Sequence, residues 1–158
     1  MAIRRLFIAN RGKIAVRIIR AAQGLGIHTI QAHSEADADM LAVKMADEAV
    51  CVGPPPAKDS YLNIDALMAA IAQTGADAVH PGYGFLSESP AFVRAVEAAG
   101  VTFVGPSAAT IERMGDKVEA RKAAQAAGVP VVPGSQGREE TVDEAASVAA
   151  DVGYPVMI

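Results

Sequence analysis

The regular alternation of short apolar runs with amphipathic stretches, separated by glycines, constrains the fold of this chain more than any other feature. Between the runs, apolar residues recur at the three- and four-residue spacing of amphipathic helices. Strands that alternate with helices and short turns predict parallel βαβ units. The sequence therefore predicts an α/β protein with a Rossmann-like parallel sheet. Five runs have the length and composition of buried strands: residues 5–9, 28–32, 49–52, 76–80 and 101–104.

Several polar residues are expected to begin helices in this pattern. Asn10 follows the first predicted strand and is a candidate N-cap, and Ser60 or Asn63 is another. Ser89 followed by Pro90 is typical of an N-cap with proline at the first helical position. These positions set where the predicted helices start.

Ligands in doubly wound sheets bind beyond the carboxyl ends of the strands. That rule selects three segments, residues 10–12, 53–56 and 80–88. The last of these is the densest, because Gly82 and Gly84 permit unusual backbone angles beside the flat side chain of Tyr83. A polar tight turn and a ligand-binding loop both explain it, and loops at strand ends often carry function.

The pattern changes after residue 106. Helices are predicted at 107–114, from Asp116 to about 128, and at 141–151, and residues 154–158 have the composition of a strand beginning. A domain seldom stops on a half-made apolar strand, so we expect a fragment with a complete domain at 1–106 and an incomplete one at 107–158. The alternative is a natural edge strand at the carboxyl end.

Composition limits the classes of protein and partner. Of the 158 residues 51% are hydrophobic and 20% are charged, which is typical of a globular chain, and no apolar run approaches the roughly 18 residues of a membrane helix. The net charge of −4 argues against a nucleic-acid partner. The single cysteine, Cys51, excludes an internal disulfide and is interpreted as a small buried side chain. We expect a cytoplasmic protein without a metal site in this chain.

Basic residues concentrate near the beginning of the chain. The first 34 residues contain six Lys or Arg and no acid, whereas the rest contains eight bases and eighteen acids. Arg11 and Lys13 lie at the start of the first predicted helix, where the helix dipole repels cations, so they either reach solvent or are offset by an anion. Arg17 and Arg20 continue Lys13 along one helix face, which is either a solvated surface or a subunit contact.

Five segments, taken in order and spacing, resemble the N-terminal part of biotin carboxylase, the ATP-grasp component of biotin-dependent carboxylases such as acetyl-CoA carboxylase. The combination of ANRG with HPGYGFLSE is the most specific part of this resemblance, and VPxxPG (129–134) and GYPV (153–156) continue it along essentially the whole chain. The five segments are residues 7–12 (FIANRG), 46–48 (ADE), 60–63 (SYLN), 80–88 (HPGYGFLSE) and 114–117 (MGDK).

The resemblance implies an ATP-dependent ligase that carboxylates carrier-bound biotin with MgATP and bicarbonate, through carboxyphosphate and CO2. It implies a pre-ATP-grasp domain at 1–106 and the beginning of the ATP-grasp region at 107–158. The expected partners are a biotin carboxyl carrier protein or domain, a carboxyltransferase component and a second copy in a homodimer. The acyl acceptor is not set by these residues, although an acetyl-CoA-type parent would serve fatty acid biosynthesis.

The resemblance also implies roles for individual residues. Lys117 matches a family lysine that contacts ATP. Arg17 and Arg20 match the first-helix surface that bacterial members use in dimers. The loop that borders the carboxylation site is matched by Tyr83, Gly84 and Glu88.

Three differences from the family are informative. Gly24 stands where the bacterial subunits commonly have a longer polar residue, which weakens the match to their dimer contact. Lys13 replaces a glutamate that would complete a capping box with Asn10, so we expect the first helix to start less stably by about 0.5–1 kcal/mol. The glycine-rich lid, the Mg²⁺ ligands, the bicarbonate-binding arginine and the catalytic glutamate of the family have no match here. We therefore predict no catalytic residue within the chain and no turnover by the chain alone. A non-catalytic structural or dimerisation module and a freestanding nucleotide-binding Rossmann domain are the alternatives.

Overall fold

The computed structural model describes residues 2–133 and 140–156. The chain divides into two compact units, Met1–Glu112 and Arg113–Ile158. Three residues named in the predictions above, Gly134, Met157 and Ile158, lie outside the described residues.

The first unit is built on a parallel sheet with five strands among the described residues, in the order β3-β2-β1-β4-β5. All four neighbouring pairs are parallel, which confirms the predicted Rossmann-like sheet. The predicted strand positions are also confirmed to within two residues at either end. The strands are β1 (Arg5–Ile8), β2 (His28–His33), β3 (Glu48–Cys51), β4 (Ala78–His80) and β5 (Thr102–Phe103).

Helices cover both faces of the sheet, and alternate residues of the central strand separate the two cores. Leu6 and Ile8 of β1 pack with Ala15 and Ile19 on one face. Phe7, between them, belongs to the larger core on the other face, because successive strand residues point in opposite directions. The helices of this part of the chain are α1 (Gly12–Gly24), α2 (Leu41–Met45), α3 (Ile64–Thr74), α4 (Pro90–Ala98) and α5 (Ala108–Gly115).

Two of the predicted helix starts are confirmed by side-chain hydrogen bonds. The Asn63 side-chain oxygen accepts from the Ala66 amide at 3.1 Å, which decides between Ser60 and Asn63. At the start of α4, the Ser89 hydroxyl accepts from the Phe92 amide at 3.3 Å, and Pro90 is the first helical residue. Both caps satisfy amides that have no partner within the helix.

The prediction for the first helix is wrong. Arg11, not Asn10, is the N-cap of α1, and its side chain makes no capping hydrogen bond. The Asn10 side chain instead bonds to the loop that follows β4. A capping box would need Asn10 as the N-cap and residue 13 as its partner. Because Arg11 is the N-cap, no such box forms here, and Lys13 does not cause the expected loss of stability.

The interpretation of Cys51 as a buried side chain is also wrong. Cys51 is exposed. It is the last residue of β3, which lies at an edge of the sheet, and the burial of β3 alternates along its length. An edge strand is covered less completely than a central one, so its apolar composition does not predict burial on both faces.

The second unit contributes the helices α6 (Lys117–Ala126) and α7 (Val142–Val152). The Asp116 carboxylate accepts from the amides of Val118 and Glu119 at 2.8 and 3.1 Å, as its position before α6 predicts. Thr141 begins α7 with a reciprocal capping box. The strand predicted at 154–158 is absent from its described part, 154–156. None of the helices in the described ranges is long and apolar enough to cross a membrane.

Candidate functional site

The strand order places a switch point between β1 and β4. The chain proceeds from β1 through β2 to β3 on one side and from β4 to β5 on the other, so the loops after β1 and β4 leave the sheet next to each other. The Ala9 amide donates to the His80 carbonyl at 3.0 Å and extends the pairing to the carboxyl ends. Open parallel sheets bind their ligands in such a crevice.

Asn10 joins these two loops. Its Nδ2 donates to the carbonyl oxygens of Pro81 and Tyr83 at 2.7 and 2.9 Å, and its Oδ1 accepts from the Arg11 amide at 2.9 Å. Only 3% of Asn10 is exposed. Two of the three segments selected from the sequence, 10–12 and 80–88, are therefore brought together by one buried side chain.

Gly82 allows this close approach. A Cβ atom at Gly82 would lie 2.6 Å from Asn10 Nδ2 and 2.8 Å from Asn10 Cβ, and its φ is +71°. Its amide donates to His80 Nδ1 at 3.0 Å. Both the space and the backbone conformation at this position require glycine.

The predicted loop residues are presented to solvent from an anchored backbone. Tyr83 is 78% exposed, although its carbonyl is held by Asn10. Glu88 is exposed at the end of the 3₁₀ helix Phe85–Glu88, whose Leu86 is buried. Gly84 precedes this helix with φ 69° and ψ −161°, a conformation that only glycine adopts readily. The loop therefore offers an aromatic hydroxyl and a carboxylate at the switch point.

The third selected segment, 53–56, lies against other parts of the chain. The Gly53 carbonyl accepts from the Glu35 amide at 2.9 Å. A Cβ at Gly53 would meet the carbonyl oxygen of Asp59. The glycine at this position is explained by the close approach of the segment after β3 to Asp59, in the segment before α3, and by its positive φ of +143°.

Sequence reasoning missed a buried acidic group beside the site. The side chain of Asp37 is 7% exposed and lies 3.4 Å from the Arg11 guanidinium. Both alternatives hold for Arg11, because Asp37 offsets its charge and half of its side chain reaches solvent. The exposed Lys13 fits the solvated alternative. Tyr61, the tyrosine of the SYLN motif, donates its hydroxyl hydrogen to Asp37 at 2.7 Å.

The ionisation of this pair is well defined. Burial alone would raise the pKa of Asp37, but hydrogen bonds from Tyr61 and Ser34 and the charge of Arg11 together lower it. Burial, together with the hydrogen bond to Asp37, raises the pKa of Tyr61 to about 12. At neutral pH the group is therefore a carboxylate that accepts from a neutral phenol.

His80 is the titratable group at the base of the loop, and it makes stability depend on pH. Burial lowers its pKa below the usual 6.5, and its Nδ1 must stay unprotonated to accept from Gly82. The unfolded chain then binds more protons than the folded one, so stability is full above pH 6.5 and is lost as pH falls through the lowered pKa.

Denaturant unfolding of the wild-type chain and His80→Gln between about pH 5 and 8 would measure this contribution. Glutamine cannot titrate in this range, so the difference in unfolding free energy between the two chains isolates His80 from the other histidines. We expect that difference to shrink or reverse toward the acid end. Parallel curves for the two chains would contradict the assignment.

The remaining predicted residues occupy exposed positions. Arg17 and Arg20 lie on the exposed face of α1, and Lys117 is the exposed first residue of α6. Among residues 2–133 and 140–156, no three His, Cys, Asp or Glu side chains gather in a way that could hold a metal ion.

The fold and the crevice define a doubly wound, parallel α/β domain whose loops after β1 and β4 meet at the switch point. The family described as biotin carboxylase, N-terminal domain, matches residues 2–111. The chain therefore belongs to the biotin carboxylase N-terminal domain family. Residues 116–158 match a second family, described as carbamoyl-phosphate synthase L chain, ATP binding domain.

Curated relatives agree with this assignment. Biotin carboxylase 1 of Bacillus subtilis is 57% identical over 156 residues, which are 99% of this chain and 35% of the relative. The propionyl-CoA carboxylase alpha chain of Ruegeria pomeroyi is 56% identical over 98% of this chain and 23% of the relative. The chain thus spans about a third or less of the length of these relatives.

Solved structures show the same likeness. The biotin carboxylase–β,γ-ATP complex of Campylobacter jejuni has a TM-score of 0.92 and 44% identity, over 98% of this chain and 34% of that one. The biotin carboxylase domain dimer of Hydrogenobacter thermophilus 2-oxoglutarate carboxylase, in complex with MgADP, ADP and bicarbonate, has a TM-score of 0.90 and 44% identity over the same shares. The resemblance found in the sequence is confirmed.

Proposed function

We propose that this chain is the N-terminal part of a biotin carboxylase, and that the full protein carboxylates carrier-bound biotin with MgATP and bicarbonate. One observation carries the proposal: the loop after β4 presents the 78% exposed Tyr83 at the switch point, on a backbone held by the buried Asn10. A rigid backbone with an accessible side chain is the arrangement expected of a binding loop.

Tyr83, Gly84 and Glu88 are proposed to border the biotin site. The Tyr83 ring offers a flat apolar face and its hydroxyl a hydrogen-bond partner, which together suit a planar ureido group on an apolar ring system. Gly84 leaves the backbone uncovered at this point, and Glu88 supplies an exposed carboxylate. In this proposal the three residues take no part in bond making or breaking, and their role is to bind and orient biotin.

Lys117 is proposed to contact ATP. Its side chain is exposed at the first turn of α6, where the positive end of the helix dipole also favours an anion. A single lysine does not form a complete phosphate site, so the proposal assigns the Mg²⁺ and bicarbonate contacts to other parts of the full protein.

The rest of the organisation is also proposed. Residues 1–106 are assigned to the pre-ATP-grasp domain and 107–158 to the start of the ATP-grasp region. Arg17 and Arg20, exposed on α1, are assigned to a homodimer face. The carrier protein or domain and the carboxyltransferase component are the other partners, and the cytoplasm is the proposed location.

The structure argues against a freestanding nucleotide-binding domain with its pocket at 10–13. Asn10 is buried and its side-chain amide is already used by Pro81, Tyr83 and Arg11. The Arg11 guanidinium lies against Asp37. Two of the polar side chains that such a pocket would use are thus engaged inside the protein, although Lys13 is exposed.

The proposed function is tested with the full protein by following bicarbonate incorporation into free biotin and the accompanying release of ADP from ATP. We expect ADP release to require both biotin and bicarbonate. ATP cleavage that proceeds equally without biotin, or no carboxybiotin at all, would refute the proposal.

Lys117→Ala is expected to raise the KM for ATP about tenfold or more in the full protein, because a charge-assisted contact to the nucleotide is lost. Lys122→Ala is the matched control, since Lys122 is an exposed lysine of the same helix and pairs with Glu119 at 2.9 Å. Steady-state kinetics of both variants would measure the effect. Equal KM values for ATP in the two variants would remove Lys117 from the site.

A further inference from the structure

Phe85 adopts a backbone conformation that its side chain disfavours. Its φ is +47°, in the left-handed region, and it is the only non-glycine residue with positive φ in the described part of the chain. Phe85 begins the 3₁₀ helix that ends at Glu88 and directly follows Gly84. A conformation of this kind persists only where surrounding contacts hold it in place.

The contacts that hold Phe85 are aromatic and cationic. Its ring stacks on Tyr61 with centroids 5.2 Å apart and an angle of 18° between the planes. The Arg11 guanidinium lies 5.6 Å from the Phe85 ring centre and 5.5 Å from that of Tyr61. A cation within about 6 Å of an aromatic ring centre is attracted by the ring quadrupole.

The other end of this arrangement is the buried Asp37. Its Oδ2 accepts from the Tyr61 hydroxyl at 2.7 Å and from the Ser34 hydroxyl at 3.0 Å, and it lies 3.4 Å from Arg11 Nη1. The Ser34 amide in turn donates to the Tyr61 oxygen at 3.0 Å. Tyr61 is therefore fixed at both its ring and its hydroxyl.

We infer that Asp37 and Tyr61 are positioning residues for the Tyr83–Glu88 loop. Asp37 holds Tyr61 and Arg11, these two enclose Phe85, and Phe85 fixes the backbone between Gly84 and Glu88. Neither Asp37 nor Tyr61 touches substrate in this inference. What the loop binds rests on the proposed function, whereas the holding of the loop does not.

Four segments meet in this cluster of Arg11, Asp37, Tyr61 and Phe85. They come from the ends of β1, β2 and β4 and from the turn before α3. A purely structural cluster would stabilise all of them together. A positioning cluster has a further property: when it is weakened, the β4 loop loosens more than the sheet beneath it, because the strained Phe85 conformation has lost its support.

Hydrogen exchange of the 158-residue chain distinguishes the two cases. The informative amides are Ser87 and Ser89, which donate to the Gly84 and Leu86 carbonyls at 3.0 and 3.1 Å. In Tyr61→Phe the ring stack is kept and the bond to Asp37 is lost, so we expect these amides to exchange about tenfold faster relative to the amides of β1. Asp37→Asn removes the charge that holds Arg11 and should act in the same direction.

Asp47→Asn is the matched control. The Asp47 carboxylate also accepts two hydrogen bonds, from the Thr29 amide at 2.8 Å and the Thr29 hydroxyl at 2.7 Å, but near the amino ends of the strands. In this variant we expect the exchange rates of the loop amides and the sheet amides to change by the same factor. If the exchange rates of the loop amides and the β1 amides also change by the same factor in Tyr61→Phe and Asp37→Asn, the positioning role is overturned.

Kinetics of the full protein connect the loop to its ligand. Tyr61→Phe should raise the KM for free biotin about fivefold and change the KM for ATP by less than about twofold from the wild-type value. An unchanged KM for biotin beside faster loop exchange would overturn the link between this cluster and the biotin site. Absence of carboxylation in the wild-type protein would refute the proposed function, and the exchange experiment would still decide whether the cluster positions the loop.

Discussion

Asn10→Ala is expected to lower the free energy of unfolding by about 2–4 kcal/mol, because it leaves one buried and one partly buried carbonyl without their donor. The two carbonyls belong to Pro81 and Tyr83, and the Arg11 amide loses its acceptor in the same variant. Equilibrium denaturation at neutral pH would measure the change. The loss should be accompanied by faster hydrogen exchange in the loop after β4.

Asn63→Ala is the appropriate control for this result. Asn63 also uses its side-chain oxygen for a backbone amide, but the bond is a local cap of α3. Its removal is expected to cost only about 1 kcal/mol and to leave the β4 loop unchanged. If the two variants lose equal stability, the tie between the two loops contributes no more than a local helix cap does.

The contrast between these two asparagines shows what the sequence could predict. Asn63 precedes a helical pattern, and its bond reaches three residues along the chain, so local rules identify it. Asn10 stands in an equivalent position, yet its partners lie more than seventy residues away. A rule based on neighbouring residues predicts a helix cap at Asn10 and cannot predict bonds to a distant loop. Which loop lies beside Asn10 depends on the order of the strands in the sheet.

The sheet itself followed from periodicity, since parallel βαβ units leave few arrangements that bury both faces. The same topology rule selected residues 10–12 and 80–88 before their contact was known. Asp37 was missed because nothing in its neighbourhood marks a buried carboxylate. Two of its three partners are a tyrosine 24 residues away and an arginine 26 residues away, and only the fold brings them together.

Cys51 shows the opposite limit. Its run of apolar neighbours is typical of a buried strand, but β3 lies at the sheet edge, and the strand order decides that exposure. Periodicity predicts which residues form strands and says little about where each strand lies. The exposed Tyr83 was easier to find, because the two glycines beside it mark a loop whose backbone is unusual.

Gly82→Ala is expected to destabilise the chain by about 2–4 kcal/mol, from overpacking against Asn10 and from the positive φ of the residue. The added Cβ would stand 2.6 Å from Asn10 Nδ2 and 2.8 Å from Asn10 Cγ. The loop would have to move to relieve the contact, and the hydrogen bonds of Asn10 would lengthen. Denaturant unfolding would measure the loss.

Gly75→Ala separates the two causes. Gly75 also has a left-handed backbone, with φ +63°, but an added Cβ would meet no atom within 4 Å. Its cost should therefore be limited to the backbone strain of about 1 kcal/mol. A loss in Gly82→Ala no larger than that in Gly75→Ala would mean that the contact with Asn10 relaxes freely.

A double-mutant cycle between Asn10 and Gly82 tests the same contact from both sides. In the Asn10→Ala background the Nδ2 and Cγ atoms are gone, so the alanine at position 82 meets only the remaining Asn10 Cβ position, 2.8 Å away. The double variant should therefore be more stable than the sum of the single losses predicts, by about 1 kcal/mol. Losses that add within experimental error would show that the two residues do not act as one junction. A positive coupling energy would indicate that the conformation of the loop after β4 depends on its contact with Asn10 in the loop after β1.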